Sequence, residues 1–541
     1  MRRWNGWGDD DTTLDLSPRA AWLLEELLGP GTPPTDATLD DAVRAIPEGR
    51  LPGHPDVDAD PETRLRRARG QSLPDWVALR SGRPGPVADG VAFPTDAVAV
   101  RRLLDYAGAV GASVVPYGGG TGVVGGLGPF DPEVATLQVS LERMAGLRGL
   151  DRVSGLATFG AGSTGPVVEG ALATEGLTLG HFPQSWELST VGGWVATRST
   201  GQQAIGYGRI EALFAGGRLE APAGSLELPP HPASAAGPDL RQLVLGSEGR
   251  LGILTDVILR VVPRPEVDVA MAAFLPDVEA GIAAAADLAR ARLPVSMVRL
   301  STPAETRTTL AMASDRTAVR LLDRYLALRR LGPERCLLLV IVTGRRRLLR
   351  SARGEVGSIV RQHRGIGAPG SLGRRWLAER FRSPYLRNTL WEAGYAVDTV
   401  ETATDWAGLP ELARSVVSAL RGGLADEGER VHAFSHLSHV YPTGSSLYTT
   451  FIFRIAPDPD QTLARWRRLK EAASRAIVAG GATISHQHGV GADHAPWLAA
   501  EKGTLGMTAL QAVAARFDPD GRMNPGRLLL TEQDPGEPLP S

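Results

Sequence analysis

Cysteine is almost absent from this 541-residue chain: Cys336 stands alone. One thiol excludes a disulfide framework within the chain and any multi-cysteine zinc or iron–sulfur site, and it fits a reducing compartment. Lysine is nearly as scarce. Lys470 and Lys502 are the two amines among 58 lysines and arginines, so Schiff-base chemistry has only two candidate nucleophiles. An excess of charge is also missing. With 58 basic and 60 acidic residues the net charge is −2, which argues against a nucleic-acid partner. The strongest apolar run, LLLVIV at 337–342, is far short of the roughly 20 residues that cross a bilayer. The opening MRRWNGWGDDDTTLD has no apolar core of a signal peptide. The closing PLPS is not a peroxisomal address. Location in the cytoplasm, peripheral to a membrane, is the resulting expectation.

What is present is an ordinary globular balance, 43% hydrophobic and 22% charged, which excludes a disordered chain. SPRAAWLLEELLG (17–29) predicts an amphipathic helix with Ser17 as cap, Pro18 in the first turn and Gly29 as stop. From about residue 90, short strands and helices alternate. Strand-like runs include Val114–Val115, TLQVSL (136–141), GLATFGAG (155–162), LVLG (243–246) and RLGILTDVILRVVP (250–263). A second texture begins near 268, with CLLLVIVTG (336–344) as a core strand and SLYTTFIFRIAP (446–457) alternating like a half-buried one. The arginine-rich stretch 345–364 reads as a solvated helix face. The class is α+β.

Pro116–Gly126 reads PYGGGTGVVGG, six glycines in eleven residues. Such a loop turns sharply and lets backbone N–H groups converge on a phosphate. Gly120, Gly122 and Gly125 match the G-x-G-x-x-G spacing, but the following LGPFDPEVATLQVS has no helical period, so a Rossmann loop is not expected. Two further turns are built of small residues, PQSWELSTVGG (183–193) and GSEGRLG (246–252). Three such turns over 130 residues suit a long cofactor lying across several loops, and a flavin dinucleotide meets that demand.

These segments, in this order and spacing, resemble the PCMH-type FAD-binding domain of the vanillyl-alcohol-oxidase flavoproteins. RRWNGWG at the start, PVSMVRL in the middle and ISHQHGVG followed by PWL near the end resemble the alkyldihydroxyacetonephosphate synthase branch of that family. The resemblance runs over about residues 2–530. It implies a helical extension (1–88), a two-part FAD-binding domain (89–266), a cap or substrate domain with an antiparallel sheet and helices (267–480), and a C-terminal segment returning to the flavin (481–541). It implies that FAD rests on Pro116, Tyr117, Gly118, Gly119, Gly120, Thr121 and Gly122. Further contacts would come from Gly125, Gly126, Pro183, Ser185, Ser189, Thr190, Gly192, Gly193, Thr197, Glu248 and Ile253. The glycine loop has no histidine and Cys336 falls in a core strand, so FAD is expected to be non-covalent.

The second half offers its own chemistry. Six of ten histidines lie within 432–494. His486 and His488 flank Gln487 before a glycine turn, and two imidazoles there can hold a phosphate or move a proton. As a metal site the pair lacks a carboxylate partner, and no metal is expected. If 431–441 is extended, His432 and His436 share a face and His439 does not. Tyr448 alternates within a strand. Arg299 ends an apolar strand, and Arg387 lies in a helix-like segment.

The resemblance gives these residues roles: Tyr448, His486 and His488 in proton transfer, Arg299 and Arg387 on a phosphate, Thr399 and Gln487 beside the substrate. Gln487 departs from a family histidine, and RSTGQQAIGYG (198–208) lacks the branch's lysines, which removes positive charge. The implied reaction exchanges the acyl group of acyl-dihydroxyacetone phosphate for a fatty alcohol through a flavin N5 adduct, in ether-lipid synthesis. The alternative is FAD-linked oxidation of a 2-hydroxy acid, an alcohol or a natural-product intermediate. A small-molecule or lipid substrate, peripheral membrane contact and a homodimer complete the expectation.

Overall fold

A computed structural model describes residues 1–128, 131–312 and 316–530, so the closing PLPS lies outside the described residues. The first helix, Pro18–Leu28, forms as its signals predict. The Ser17 side chain accepts from the Ala20 amide, and Gly29 ends the helix at φ 87°.

A small sheet places the glycine loop. Its order is Val57–Asp58, Gly90–Ala92, Thr136–Ser140, Ser113–Tyr117, and the last three strands are mutually parallel. Helix Ala97–Val110 is the crossover, stopped by Gly111 in the left-handed region. The chain therefore leaves the carboxyl end of strand Ser113–Tyr117 directly into the glycines, where open α/β sheets hold ligands. A five-stranded antiparallel sheet (Leu147–Asp151, Leu156–Gly160, Ile253–Arg260, Phe214–Ala221, Gly224–Leu228) packs beside it. Val114, Leu137, Phe159, Trp194, Phe214, Val257 and Met523 share one core across the two. The C-terminal segment joins this body. The Val114 amide donates to the Arg522 carbonyl and the Asn524 amide to the Val114 carbonyl, both at 2.8 Å. The run at 243–246, read as strand-like, forms no strand: Leu243 and Val244 close a short helix, Arg241–Val244. The apolar run is too short for periodicity to separate the two.

The second half builds one antiparallel sheet. Its order is Ile366–Gly367, Val267–Leu275, Cys336–Gly344, Val295–Ser301, His432–Leu437, Gly444–Arg454, Tyr395–Asp405, with Val440–Tyr441 beside Gly444–Arg454. Strand alternation gives the sheet two different faces. Val298, Leu300, Leu338, Val340, Val400, Leu447 and Phe451 turn toward a core shared with helices Val278–Arg290, Arg346–Gln362, Leu409–Gly422 and Pro459–Ala479. Met297, Arg299, Leu339, Val397, Thr399, His436, Tyr448 and Thr450 line a cavity on the opposite face. No described helix is long and apolar enough to cross a membrane.

Candidate active site

One cavity of about 1160 Å³ joins the glycine loop to the open face of the large sheet. Pro116–Gly122, Gly126, Pro183, Ser185, Ser189, Thr190, Gly192, Gly193, Thr197, Glu248 and Ile253 all line it. Gly125 does not; it sits at φ 66° and shapes the turn behind the lining. A Cβ on Gly119 would collide with the Leu188 carbonyl oxygen, and Gly120 holds φ 62°. The glycines are thus required for close approach of two loops. Among the described residues the amides of Gly119 to Gly122 donate to no protein group. Bare, converging N–H groups at a strand end, next to the N-terminus of helix Val191–Thr197, are a donor set that fits a dinucleotide diphosphate. The residues fit FAD. Glu248 does more than line the cavity. At φ 50° its carboxylate accepts from the amides of Val490 (2.5 Å) and Gly491 (2.7 Å) and straps the histidine segment to the glycine loops. Desolvation lifts its pKa to about 7 despite those two bonds.

The large sheet assembles the remaining side chains by register. Tyr448 lies directly across from Glu401 on one neighbouring strand and from His436 on the other. The His436 ring stacks on the Tyr448 ring at 4.8 Å, and His488 meets it edge-on at 5.6 Å. Burial pushes the Tyr448 phenol up to about 12, against a hydrogen bond with Thr399 that pulls it down. The phenol therefore keeps its proton at neutral pH. Burial also lowers the imidazolium pKa of His436 and His488, and that of His486 falls to about 4, so His486 is neutral at pH 7.

Arg299 is not a bare anion ligand. Its guanidinium donates to Ser301 Oγ at 3.0 Å and to Glu305 at 2.8 Å, and His436 Nδ1 lies 2.9 Å from the same carboxylate. Burial would raise the Glu305 carboxyl, but Arg299 and His436 hold it down at about 2. Arg387 is the freer group. It donates to the Gln71 carbonyl and lies 4.4 Å over the Trp76 ring, while its Nη2 has no protein partner.

Sequence reasoning missed the centre of the histidine cluster. Glu401, fully buried, has Ser438 Oγ at 2.7 Å, Gln487 Nε2 at 2.6 Å, His486 Nδ1 at 3.2 Å, His439 Nδ1 at 3.3 Å and His488 Nε2 at 3.6 Å. Burial alone would raise this carboxyl; the adjacent His439 and His486 hold it well below the ordinary range. The available signal was an acid in the inward phase of an alternating strand, two residues after Thr399. His439 also departs from its expected place. The strand ends at Leu437, alternation stops, and His432, His436 and His439 all line the cavity. His432 bonds Thr308 at 3.1 Å.

From Tyr448 the cavity continues into an apolar arm, walled by Leu16, Leu24 and Leu27 of the N-terminal region, Leu310, Leu390 and Phe434.

Comparisons with known proteins agree with this geometry. A model of the FAD binding domain matches residues 88–227, and a model of the C-terminal domain of FAD linked oxidases matches residues 264–528. An alkyldihydroxyacetonephosphate synthase of Dictyostelium discoideum is 27% identical over 584 residues, covering 99% of this chain and 95% of that relative. An uncharacterized FAD-linked oxidoreductase of Escherichia coli (strain K12), YgcU, is 26% identical over 443 residues, covering 80% of this chain and 87% of that one. A solved structure of an alkyldihydroxyacetonephosphate synthase superposes with a TM-score of 0.81 at 25% identity, covering 97% of this chain and 98% of the other.

Proposed function

Because the chain belongs to the FAD-linked oxidase family of flavoproteins, we propose that it is an FAD-dependent enzyme of the alkyldihydroxyacetonephosphate synthase type. It exchanges the acyl group of acyl-dihydroxyacetone phosphate for a fatty alcohol. The bond from carbon 1 to the ester oxygen breaks, a bond from carbon 1 to the alcohol oxygen forms, and the fatty acid leaves with no net oxidation. The observation that carries this reading is one continuous cavity, with bare glycine-loop amides at one end, Tyr448 and the histidines at the middle and an apolar arm beyond.

FAD, which the glycine loop at 116–122 and the turn at 189–193 would hold, would supply the reactive ring for both half-reactions. The protein's own groups do the rest. Tyr448, protonated at neutral pH, is a proton donor to the carboxylate oxygen that leaves carbon 1, and neutral His488 beside it accepts the proton the alcohol gives up. Glu401 accepts a hydrogen bond from Gln487 and so holds the segment between His486 and His488, whose ring nitrogens lie 3.2 and 3.6 Å from its carboxylate. Arg387 offers its unpaired Nη2 to the substrate phosphate, a charge-assisted bond. Arg299, already divided between Ser301 and Glu305, adds charge without a free fork. Thr399 bonds the phenol and borders the substrate.

In the same reading FAD is non-covalent. Cys336 is buried in the helix-side core of the large sheet, and the glycine loop carries no histidine. The enzyme works as a homodimer in the cytoplasm, touching membranes at their edge to collect lipid, and divides at about residues 88, 266 and 480.

A second reading, oxidation of a 2-hydroxy acid, is favoured by one observation: Glu305 already neutralises Arg299, which suits a singly charged carboxylate substrate better than a phosphate. Anaerobic titration separates the two. Palmitoyl-dihydroxyacetone phosphate is expected to perturb the flavin spectrum and release palmitate with no electron acceptor present. Bleaching by 2-hydroxy acids alone, with no palmitate released, overturns the synthase assignment.

A further inference from the structure

We propose that Glu401, His439 and His486 form a binding site for one divalent transition-metal ion of the zinc class in the wall of the cavity. The three residues come from separate segments: strand Tyr395–Asp405, the turn after strand His432–Leu437, and the loop after helix Pro459–Ala479. One donor atom from each lies within 4.8 Å of the others, and all three residues are buried. Two imidazole nitrogens and one carboxylate oxygen are a zinc ligand set, leaving a fourth position for water or an anionic oxygen.

The separations suit coordination, although His439 Nδ1 also shares a hydrogen bond with Glu401 Oε1. Glu401 Oε1 is 3.2 Å from His486 Nδ1 and 3.3 Å from His439 Nδ1. Donors about 2.0–2.1 Å from a tetrahedral ion stand roughly 3.3–3.4 Å apart. His486 Nδ1, although buried and this near to a carboxylate, is placed too obliquely to share a hydrogen bond with it. The other nitrogen of that ring is anchored: Nε2 lies 2.7 Å from the Tyr441 hydroxyl, the outer contact that fixes a metal-ligating imidazole. His439 lines the cavity beside Gln487 and His488, so the ion would present positive charge to the chamber that holds Tyr448. That charge stands where Gln487 supplies none. The site is proposed whichever substrate the cavity takes.

The test uses the purified flavoprotein and Zn²⁺ alone. After equilibration with Zn²⁺ and dialysis into metal-free buffer, zinc and flavin are counted per chain by plasma mass spectrometry and absorbance. About one zinc per chain is expected. Glu401→Gln and His439→Asn are each expected to lower it at least tenfold with flavin content unchanged. Less than about a tenth of an equivalent in the unaltered protein overturns the proposal and leaves Glu401 as a hydrogen-bond acceptor only. Zinc retained equally by both variants also overturns it. If a variant loses its flavin, the unaltered protein decides through zinc-edge X-ray absorption. Two imidazoles and a carboxylate at about 2.0–2.1 Å support the site, and a shell of water oxygens overturns it. None of these readings depends on turnover, so a failed metal site and a failed synthase assignment remain distinguishable.

Discussion

Tyr448 is a phenol whose proton is held by its surroundings. Burial raises its pKa to about 12 while Thr399 bonds it and His436 and His488 flank it. Tyr448→Phe keeps the ring stack and removes only the proton, so flavin content and melting temperature are expected to hold. Fatty-acid release should fall by roughly 10²–10⁴-fold, the usual worth of a positioned acid or base; a loss below fivefold would remove Tyr448 from the chemistry. Glu248 makes a different prediction. Its folded pKa, about 7, exceeds the ordinary 4.5, so the folded state keeps a proton that the unfolded chain releases. Its contribution to stability is therefore complete below about 4.5 and declines as pH rises to 7. Asp493, also raised to about 7, acts in the same direction. Buried histidines held neutral, such as His486 at about 4 against the ordinary 6.5, act in the opposite direction over this range, so the decline is read as a difference: from pH 4.5 to 8 the melting temperature of the unaltered protein should fall relative to Glu248→Gln, and further relative to Glu248→Gln with Asp493→Asn.

Elements bring such residues together, and the first sixteen residues show how. Arg2 donates to the carbonyl of Gly119, Arg80 Nε donates to the Asn5 carbonyl at 2.8 Å, and Asn388 exchanges two hydrogen bonds with the backbone of Trp7, at 3.1 and 2.9 Å. The segment ties the glycine loop to the helix that carries Arg387. Its motif, RRWNGWG, was legible only as a resemblance, because no local rule of periodicity or capping says where an extended N-terminal strap will dock. Helix Pro18–Leu28 and strand Cys336–Gly344 were legible from their own residues, since caps and apolar runs act locally. The pairing of Leu300 with Leu437 was not, being a contact between distant segments chosen by the whole sheet. Glu401 was hidden for the same reason: its meaning depends on histidines 38 and 85 residues further along. Asn388→Ala tests the strap. It strands a buried N–H and C=O, at about 1–3 kcal/mol each, so a lower melting temperature, weaker flavin retention and a raised KM for phosphate substrates are expected together. An unchanged KM with lowered stability would confine the strap to folding.

At the scale of the whole molecule, the cavity is shared by three bodies: the parallel sheet with its glycine loop, the open face of the large sheet, and the N-terminal helix. The polar groups gather at the junction of the first two, and the apolar arm runs toward the third, past Leu24, Leu390 and Phe434. An alkyl chain in that arm leaves water one methylene at a time. Each buried CH₂ contributes up to about 0.8 kcal/mol, or roughly fourfold in affinity, and ordering of the chain reduces that figure. Affinity for acyl-dihydroxyacetone phosphates should therefore climb two- to fourfold per added carbon and level off once the arm is full. Leu390→Trp, which narrows the arm from the helix Leu386–Glu392, should move the plateau to shorter chains with a smaller effect on short-chain affinity. A flat dependence on chain length, with unaltered affinity in Leu390→Trp, would mean that the arm does not hold the lipid. The small hydroxy-acid reading would then be the better account of the same cavity.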